Sequence, residues 1–407
     1  MSLASCPICG SQDNINLLDL NCGNLDASSL YPRVRLTCCG GCGHGYNRLS
    51  PSEIAGLASY YNDEYAPTNL RSIVKTGDLP GSASEITHNR YEHLFKLLSP
   101  HLQKNASILD VGCAAGGFLD FLKARGYSRL YGVEPTTAYL EKARHGGYNV
   151  RVGHAEDLGF ETDMFDALVI EQVMEHLIDP ASAFKEAARV LKEGGVLCLG
   201  VPDASRYDDF YYFDFYWLLM REHIQHFTIR SLSRLASEHG FELIEYQQTA
   251  LPLMGAAMIM PNLSACFRFK GPGRRENHAE AVPNPQIFKK YVDKESARLG
   301  VKRAQIETLT RDRKPVYVWG IGRECLYLFE AAGMKHCDVR GLIDLNPFKQ
   351  QNATVQGMEI SPPDILTHAP QQSVLIIGAL AHEKDILRRL DALAYPGTVL
   401  ALTSAGS

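Results

Sequence analysis

Between Ser107 and Tyr246 the chain alternates short apolar runs with amphipathic ones, and that alternation constrains its fold more than any other feature. "SILDVG", "RLYGVE", "YNVRVG", "FDALVIE", "GGVLCLGVP" and "FELIEY" read as strands, and "FLDFLKARG", "TAYLEKARHGG", "PASAFKEAARVLKEGG" and "SLSRLASEHG" as the helices between them. Glycines at several helix ends fit C-terminal caps. Strands separated by helices cannot pair as tight hairpins, so the expected arrangement is a mostly parallel sheet covered by helices on both faces. A helix in "EITHNRYEHLFKLLSPHL" leads into it, with Pro100 at its end.

Ligands of an open parallel sheet collect at the carboxyl ends of its strands. Here the first strand ends in Asp110, Gly112, Gly116 and Gly117, and the second in Glu134. "GHAEDL" follows the third, and the fourth ends in Glu171 and Gln172. An acidic residue ending the second strand can accept ribose hydroxyls, which suits NAD as well as S-adenosylmethionine. The first loop separates the two. A dinucleotide loop of the Gly-x-Gly-x-x-Gly type brings a pyrophosphate onto a helix N-terminus. Asp110 instead puts negative charge before the glycines, which suits a sulfonium amino acid and repels a pyrophosphate.

Six of the 11 cysteines fall in the first 42 residues. Cys6 and Cys9 form one CxxC pair and Cys39 and Cys42 another, each followed by glycine, as in four-thiolate zinc sites. The pairs are 29 residues apart, with Cys22 and Cys38 as spare candidates and His44 outside the expected set. The N-terminus lacks the pattern of a signal peptide, and the longest apolar stretch, Ala250 to Met260, is too short to span a bilayer, so a cytoplasmic protein is expected. A net charge of -5 argues against a nucleic-acid partner, leaving "KGPGRR" as an exposed linker.

The motifs "LDVGCAAGGF", "GVEP", "AEDLGF", "FDALVIEQVMEHLIDP", "ARVLKEGGVL" and "EHIQHFTIRSLSRLASEHGFELIE" resemble those of class I S-adenosylmethionine-dependent methyltransferases. The resemblance implies cofactor contacts by Asp110, Gly112, Cys113, Ala114, Gly116, Glu134, Pro135, Ala155, Glu156, Glu171 and Gln172. His154 stands where the family often has Asp, which moves the adenine contact to Glu156 or Asp157. With the "CPICGS" and "CGGCGHGYN" leader and the trailing "VYVWGIGRECLYLFEAAG" segment, the chain looks like the sugar C-methyltransferases that act on nucleotide-linked keto-sugars. In that group a Glu-His pair transfers the proton, which Glu222 and His223 match, with His226 and Tyr65 as further candidates at the acceptor. A structural or substrate-orienting role for His223 remains the alternative, and His176 is expected to be structural or to line the pocket.

The expected fold is therefore α/β: a Rossmann-like class I methyltransferase core with a small N-terminal zinc module and a C-terminal Rossmann-like half domain. The expected boundaries are 1–65 for the zinc-binding module, 66–106 for a helical linker, 107–250 for the cofactor-binding domain, 251–314 for a connecting helical segment and 315–407 for the last domain. Two other functions compete. One is an O-methyltransferase of a sugar or other secondary metabolite. The other is an NAD-dependent oxidoreductase built on the Gly320 and Gly322 loop, with Asp344 as its ribose acceptor. Cys325 in the third glycine position, and the short run of strands after Val316, weigh against NAD.

Overall fold

The computed structural model describes residues 5–23, 28–64, 85–210, 212, 215–253, 258–271, 284–379 and 382–401. Two compact units divide the chain. One comprises Met1–Leu17, Arg35–Phe210 and Arg221–Lys289, and the other Leu18–Val34, Tyr211–Met220 and Lys290–Ser407.

The first unit is organised by a seven-stranded sheet. In chain order its strands are β1 (Ser107–Val111), β2 (Arg129–Glu134), β3 (Asn149–Val152), β4 (Phe165–Glu171), β5 (Leu191–Pro202), β6 (Phe241–Leu253) and β7 (Met258–Phe269). They lie in the order β6-β7-β5-β4-β1-β2-β3. β1 to β5 are parallel, whereas β7 runs antiparallel between β5 and β6. Every residue of β1 is buried, as a strand covered on both faces requires. One of the covering helices, Gly117–Ala124, turns Phe118, Leu119, Phe121 and Leu122 inward.

The segment 251–314 is not a helical connection throughout. It begins by completing β6 and then forms the 12-residue β7, and only Gln286–Arg311 is helical. The strand reading was hidden by Pro261, which ordinarily argues against an inner strand. The pairing between β5 and β7 ends at Pro202 and Asn262, just short of that proline.

A second, four-stranded sheet in this unit joins Asn14–Asn16, Leu36–Cys39, Gly45–Asn47 and Gln225–His226, all antiparallel. The segment after β5 thus returns to pair with the cysteine-rich segment. Helix Pro51–Ser59 follows, started by a capping box in which Ser50 and Glu53 each satisfy the other's backbone N–H. It widens into a π-helical turn over Tyr60–Glu64.

The second unit carries a six-stranded sheet from β8 (Pro315–Trp319), β9 (Asp338–Ile343), β10 (Thr354–Val355), β11 (Met358–Ser361), β12 (Val374–Ile377) and β13 (Thr398–Ala401). Their order is β10-β11-β9-β8-β12-β13, with only β10 antiparallel to its neighbour. The β10-β11 hairpin adds two strands to the four that the apolar runs "VYVWG", "VRGLID", "SVLIIGA" and "GTVLAL" suggest. Gln356 and Gly357, both at positive φ, make its two-residue turn.

Candidate active site

The carboxyl ends of β1, β2 and β4 open onto a cavity of about 730 Å³, within the roughly 300–1,000 Å³ typical of small-molecule sites. Asp110, Gly112, Cys113, Ala114, Glu134, Pro135, Ala155, Glu156, Glu171, Gln172 and His223 all line it. Gly116 lies beside it as the left-handed N-cap of helix Gly117–Ala124. Glu222 is one residue from the lining, its Oε1 accepting from the Tyr60 hydroxyl at 3.1 Å. His226 does not reach the cavity: it is buried in the small sheet, with Nδ1 3.2 Å from the Tyr207 hydroxyl. Tyr65 lies outside the described residues.

Local geometry explains why the first loop needs its glycine. Gly112 has φ 77°, and a Cβ there would come within 2.5 Å of Val173 Cγ2. Ala114 adopts φ 43° without being glycine. Its strained amide is held by Glu134, whose carboxylate accepts from Ala114 N at 3.1 Å and from Thr136 N at 2.9 Å. The acidic residue of β2 therefore fixes the loop after β1 as well as facing the cavity.

The cavity is strongly acidic. Among its lining residues Asp110, Glu134, Glu156, Glu171 and Glu175 stand against one guanidinium, that of Arg90. Burial raises all five carboxyl groups above their usual range. Asp110 is pushed to about 8 by desolvation and then by Glu171 and Glu134. Desolvation takes Glu171 to about 7, against the opposing pull of Arg90. Glu175 reaches about 8 through desolvation, with Glu171 adding to the rise. The side chain of Glu171 lies over β5 because Gly200 leaves room, a Cβ there falling 1.6 Å from Glu171 Oε2.

These residues fit S-adenosylmethionine, which carries a sulfonium, an ammonium and a carboxylate. Among the described residues the four buried oxygens of Glu171 and Glu175 have no hydrogen-bond partner, and Arg90 is the one lining residue that offers a complementary charge for a carboxylate. A pyrophosphate would face five carboxyl groups.

Beside this acidic end stand two histidines, His176 and His223, with ring centroids 5.0 Å apart. His176 Nδ1 is 2.9 Å from the Glu222 carbonyl oxygen, which can only accept, and 2.9 Å from the Tyr61 hydroxyl oxygen. Nδ1 therefore carries the proton, and Nε2 presents a lone pair toward Glu175 Oε1, 4.0 Å away. Tyr61 and Arg90 have no sequence signature of their own, and Glu175 lies within the motif "FDALVIEQVMEHLIDP" without a role that its sequence alone assigns. They reach the cavity through the π-turn, the helix Glu85–Leu98 and a single 3₁₀ turn.

The segment carrying His223 is held by the cysteine-rich sheet. Asn47 Nδ2 donates to the His223 carbonyl at 2.8 Å, and Asn47 N donates to the Ile224 carbonyl at 2.9 Å. Gln225 bridges the same sheet to the loop after β4: its Nε2 donates to the Leu177 carbonyl and its Oε1 accepts from His44 Nε2.

The Sγ atoms of Cys6, Cys9, Cys39 and Cys42 all lie within 4.8 Å of one another. Cys6 and Cys42 are 3.6 Å apart and Cys9 and Cys39 3.5 Å. A tetrahedral ion with thiolates at about 2.3 Å needs sulfur separations of roughly 3.8 Å, close to these. Gly10 and Gly43 turn the two knuckles at φ 71° and 77°. His44 is engaged by Gln225, and Cys38 directs its thiol to the Cys39 carbonyl.

In the second unit the loop after β8 is closed around Asp344. Its carboxylate accepts from Ile321 N at 3.0 Å, Asn346 N at 2.9 Å and Lys349 Nζ at 2.9 Å. A Cβ on Gly320 would meet Ala379 Cβ at 2.3 Å, so that glycine serves close packing against the segment after β12. Cys325 is fully buried under the sheet.

With this geometry in view, residues 84–246 match the family profile described as a methyltransferase domain. An uncharacterized methyltransferase of Schizosaccharomyces pombe is 33% identical over 117 residues, 25% of this chain and 42% of that protein. The chloroplastic 2-methyl-6-phytyl-1,4-hydroquinone methyltransferase 1 of Oryza sativa is 38% identical over 100 residues, 23% of this chain and 30% of its own. A ubiquinone biosynthesis O-methyltransferase of Xanthomonas oryzae is 36% identical over 101 residues, 23% of this chain and 42% of its own. The chain thus spans less than half the length of each of these three relatives. Fold and profile agree that residues 84–246 carry a methyltransferase domain on a Rossmann-like α/β sheet. Among the described residues no helix is long and apolar enough to cross a membrane.

Proposed function

We propose that the chain is an S-adenosylmethionine-dependent methyltransferase that C-methylates a nucleotide-linked keto-sugar by base-assisted enolate formation. The observation that carries this reading is a single cavity joining the acidic strand ends to His223. Bound S-adenosylmethionine supplies an electrophilic methyl group. Glu134, oriented by two backbone amides, receives the ribose, and Asp110, Gly112, Cys113, Ala114 and Gly116 form the adjoining loop. Pro135, Ala155 and Glu156 line the adenine side, and Glu171 and Gln172 the methionine side. His223 takes the proton from the carbon beside the ketone, and the resulting enolate carbon would then bond to the methyl group as the methyl–sulfur bond breaks and the neutral thioether S-adenosylhomocysteine leaves. Holding both partners in line and excluding water supplies most of the rate.

Cys6, Cys9, Cys39 and Cys42 hold a structural zinc ion whose sheet braces the His223 segment. NAD is not a cofactor in this reading, which the commitment of Asp344 to Lys349 and two amides supports.

The deciding experiment incubates the protein with methyl-labelled S-adenosylmethionine and a panel of nucleotide-linked keto-sugars, followed by NMR of the product. A carbon-bound methyl is expected. An oxygen-bound methyl would replace this reading with that of a sugar or secondary-metabolite O-methyltransferase, since His223 would serve equally to deprotonate a hydroxyl. Saturable micromolar NAD binding abolished by Asp344→Ala would instead restore the oxidoreductase reading.

A further inference from the structure

S-adenosylmethionine and its product differ by one charge at the sulfur. With ammonium, carboxylate and sulfonium the cofactor carries a net charge of about +1, whereas the thioether product S-adenosylhomocysteine is a neutral zwitterion near pH 7. A site that senses this charge can favour loading over product retention. Shape complementarity can read only the methyl group that also separates the two ligands, whereas a charge sensor reads the sulfonium itself.

The cavity contains such a sensor. Glu175 is 1% exposed, and among the described residues neither of its carboxyl oxygens has a hydrogen-bond partner. Both oxygens of Glu171 are equally inaccessible and equally without one. Glu134 is different in kind, because two amides already stabilise its charge. Unpaired, inaccessible carboxyls hold protons until a cation arrives. Glu175 has a further reason to do so, since the His176 Nε2 lone pair faces it.

We propose that Glu171 and Glu175 are specificity-determining residues that select the sulfonium cofactor over its neutral product by releasing protons to solvent as the cofactor enters. Each step is a carboxylic acid becoming a carboxylate and a solvated proton, with the carboxylate taking the incoming positive charge as partner. This rests on the cofactor reading above. The groups that set the balance are Asp110 and Glu134 at the ends of β1 and β2, and His154 and Glu156 after β3. Arg90 and Tyr91 face them from the helix Glu85–Leu98, and Tyr139 from Thr137–His145. His176, His223 and Tyr61 close the opposite side. Arg90, the one fixed cation among them, acts against proton retention by both glutamates. Desolvation outweighs it, so that without ligand Glu175 holds its proton at neutral pH while Glu171 titrates there.

The test is calorimetric titration of the full chain with each ligand in two buffers of different ionisation enthalpy, repeated from pH 6 to 9. S-adenosylmethionine is expected to release more protons than S-adenosylhomocysteine. Its affinity relative to the product should rise with pH by up to about tenfold per unit for each group ionised on binding, then level off. Glu175→Gln and Glu171→Gln should each weaken S-adenosylmethionine by about tenfold or more, alter the product by less than about threefold, and flatten the pH slope. Cofactor binding with equal proton release for both ligands and a pH-independent ratio would overturn the proposal while leaving the cofactor reading intact. Failure of both ligands to bind would overturn the cofactor reading, and this proposal with it. The wild-type pH series decides the matter even if a glutamine variant does not fold.

Discussion

Asn47 donates from its side-chain amide to the backbone carbonyl of His223 at 2.8 Å, so a residue of the cysteine-rich sheet fixes the segment proposed to carry the base. The bond is buried at both ends, where loss of one partner strands the other at a cost of about 1–3 kcal/mol. Asn47→Ala should therefore lower kcat by about tenfold while shifting the affinity for S-adenosylmethionine by less than about threefold. His223→Ala should go further, losing roughly 10² to 10⁴ of turnover, the usual worth of a general base. It should also abolish exchange of the acceptor's acidic proton with deuterated solvent. Near-normal turnover in His223→Ala would return that residue to a structural role.

Removing the proposed zinc should act through the same strands. Leu36–Cys39 and Gly45–Asn47 flank one cysteine knuckle, and Gly45–Asn47 pairs with Gln225–His226. Protein purified under reducing conditions should contain one zinc per chain by metal analysis. Cys39→Ser with Cys42→Ser should lose it, disorder the small sheet and abolish methylation. Absence of stoichiometric zinc from the wild-type protein would refute the metal reading.

Glu134 links the proposed ribose contact to backbone strain. Its Oε2 holds the Ala114 amide while Ala114 sits at positive φ, a conformation that costs a non-glycine residue about 1–3 kcal/mol unless its surroundings enforce it. Glu134→Ala removes the proposed ribose acceptor and this restraint together. Affinity for S-adenosylmethionine should fall roughly tenfold to a hundredfold, corresponding to about 1.5–3 kcal/mol. Unchanged affinity by calorimetry would remove Glu134 from the site.

What was legible in the sequence follows from how each feature is encoded. Strand ends at Asp110, Glu134 and Glu171 stand together because parallel order alone brings carboxyl ends to one edge, and that order was readable from periodicity. Four cysteines converge across 29 residues because two CxxC knuckles carry their own turn glycines. Arg90 and Tyr61 left no such trace. Each is a single residue on a helix whose placement against the sheet depends on packing, not on local pattern. The pairing of Asn47 with the His223 segment is likewise a contact between residues 176 positions apart. β7 was obscured for another reason: buried on both faces from Met260 to Phe267, it shows no alternation there, and Pro261 ordinarily argues against an inner strand.

The same buried acids that favour a cation should make the ligand-free protein sensitive to alkali. Folded-state values near 7 to 8 for Glu171, Glu175 and Asp110 lie above the roughly 4 of unfolded carboxyls, so the folded protein binds more protons through that interval. Stability from such a raised group is complete below about pH 4 and is lost as pH rises through 7 to 8, with a limiting slope of about 1.4 kcal/mol per pH unit for each group. Other carboxyls shift the opposite way. Asp166, hydrogen-bonded by Lys192 and the Ser107 amide, is held below its usual range and adds stability as pH rises from acid. The comparison that isolates the cavity is therefore between wild type and Glu175→Gln, which keeps the side chain's size but cannot ionise. The Tm of Glu175→Gln relative to wild type should increase between pH 5 and pH 9 in differential scanning calorimetry without ligand. Saturating S-adenosylmethionine should reduce that difference or reverse it, because the wild-type carboxylate then has a cation to face. A difference that stays constant from pH 5 to 9 would show that Glu175 is already ionised in the empty cavity.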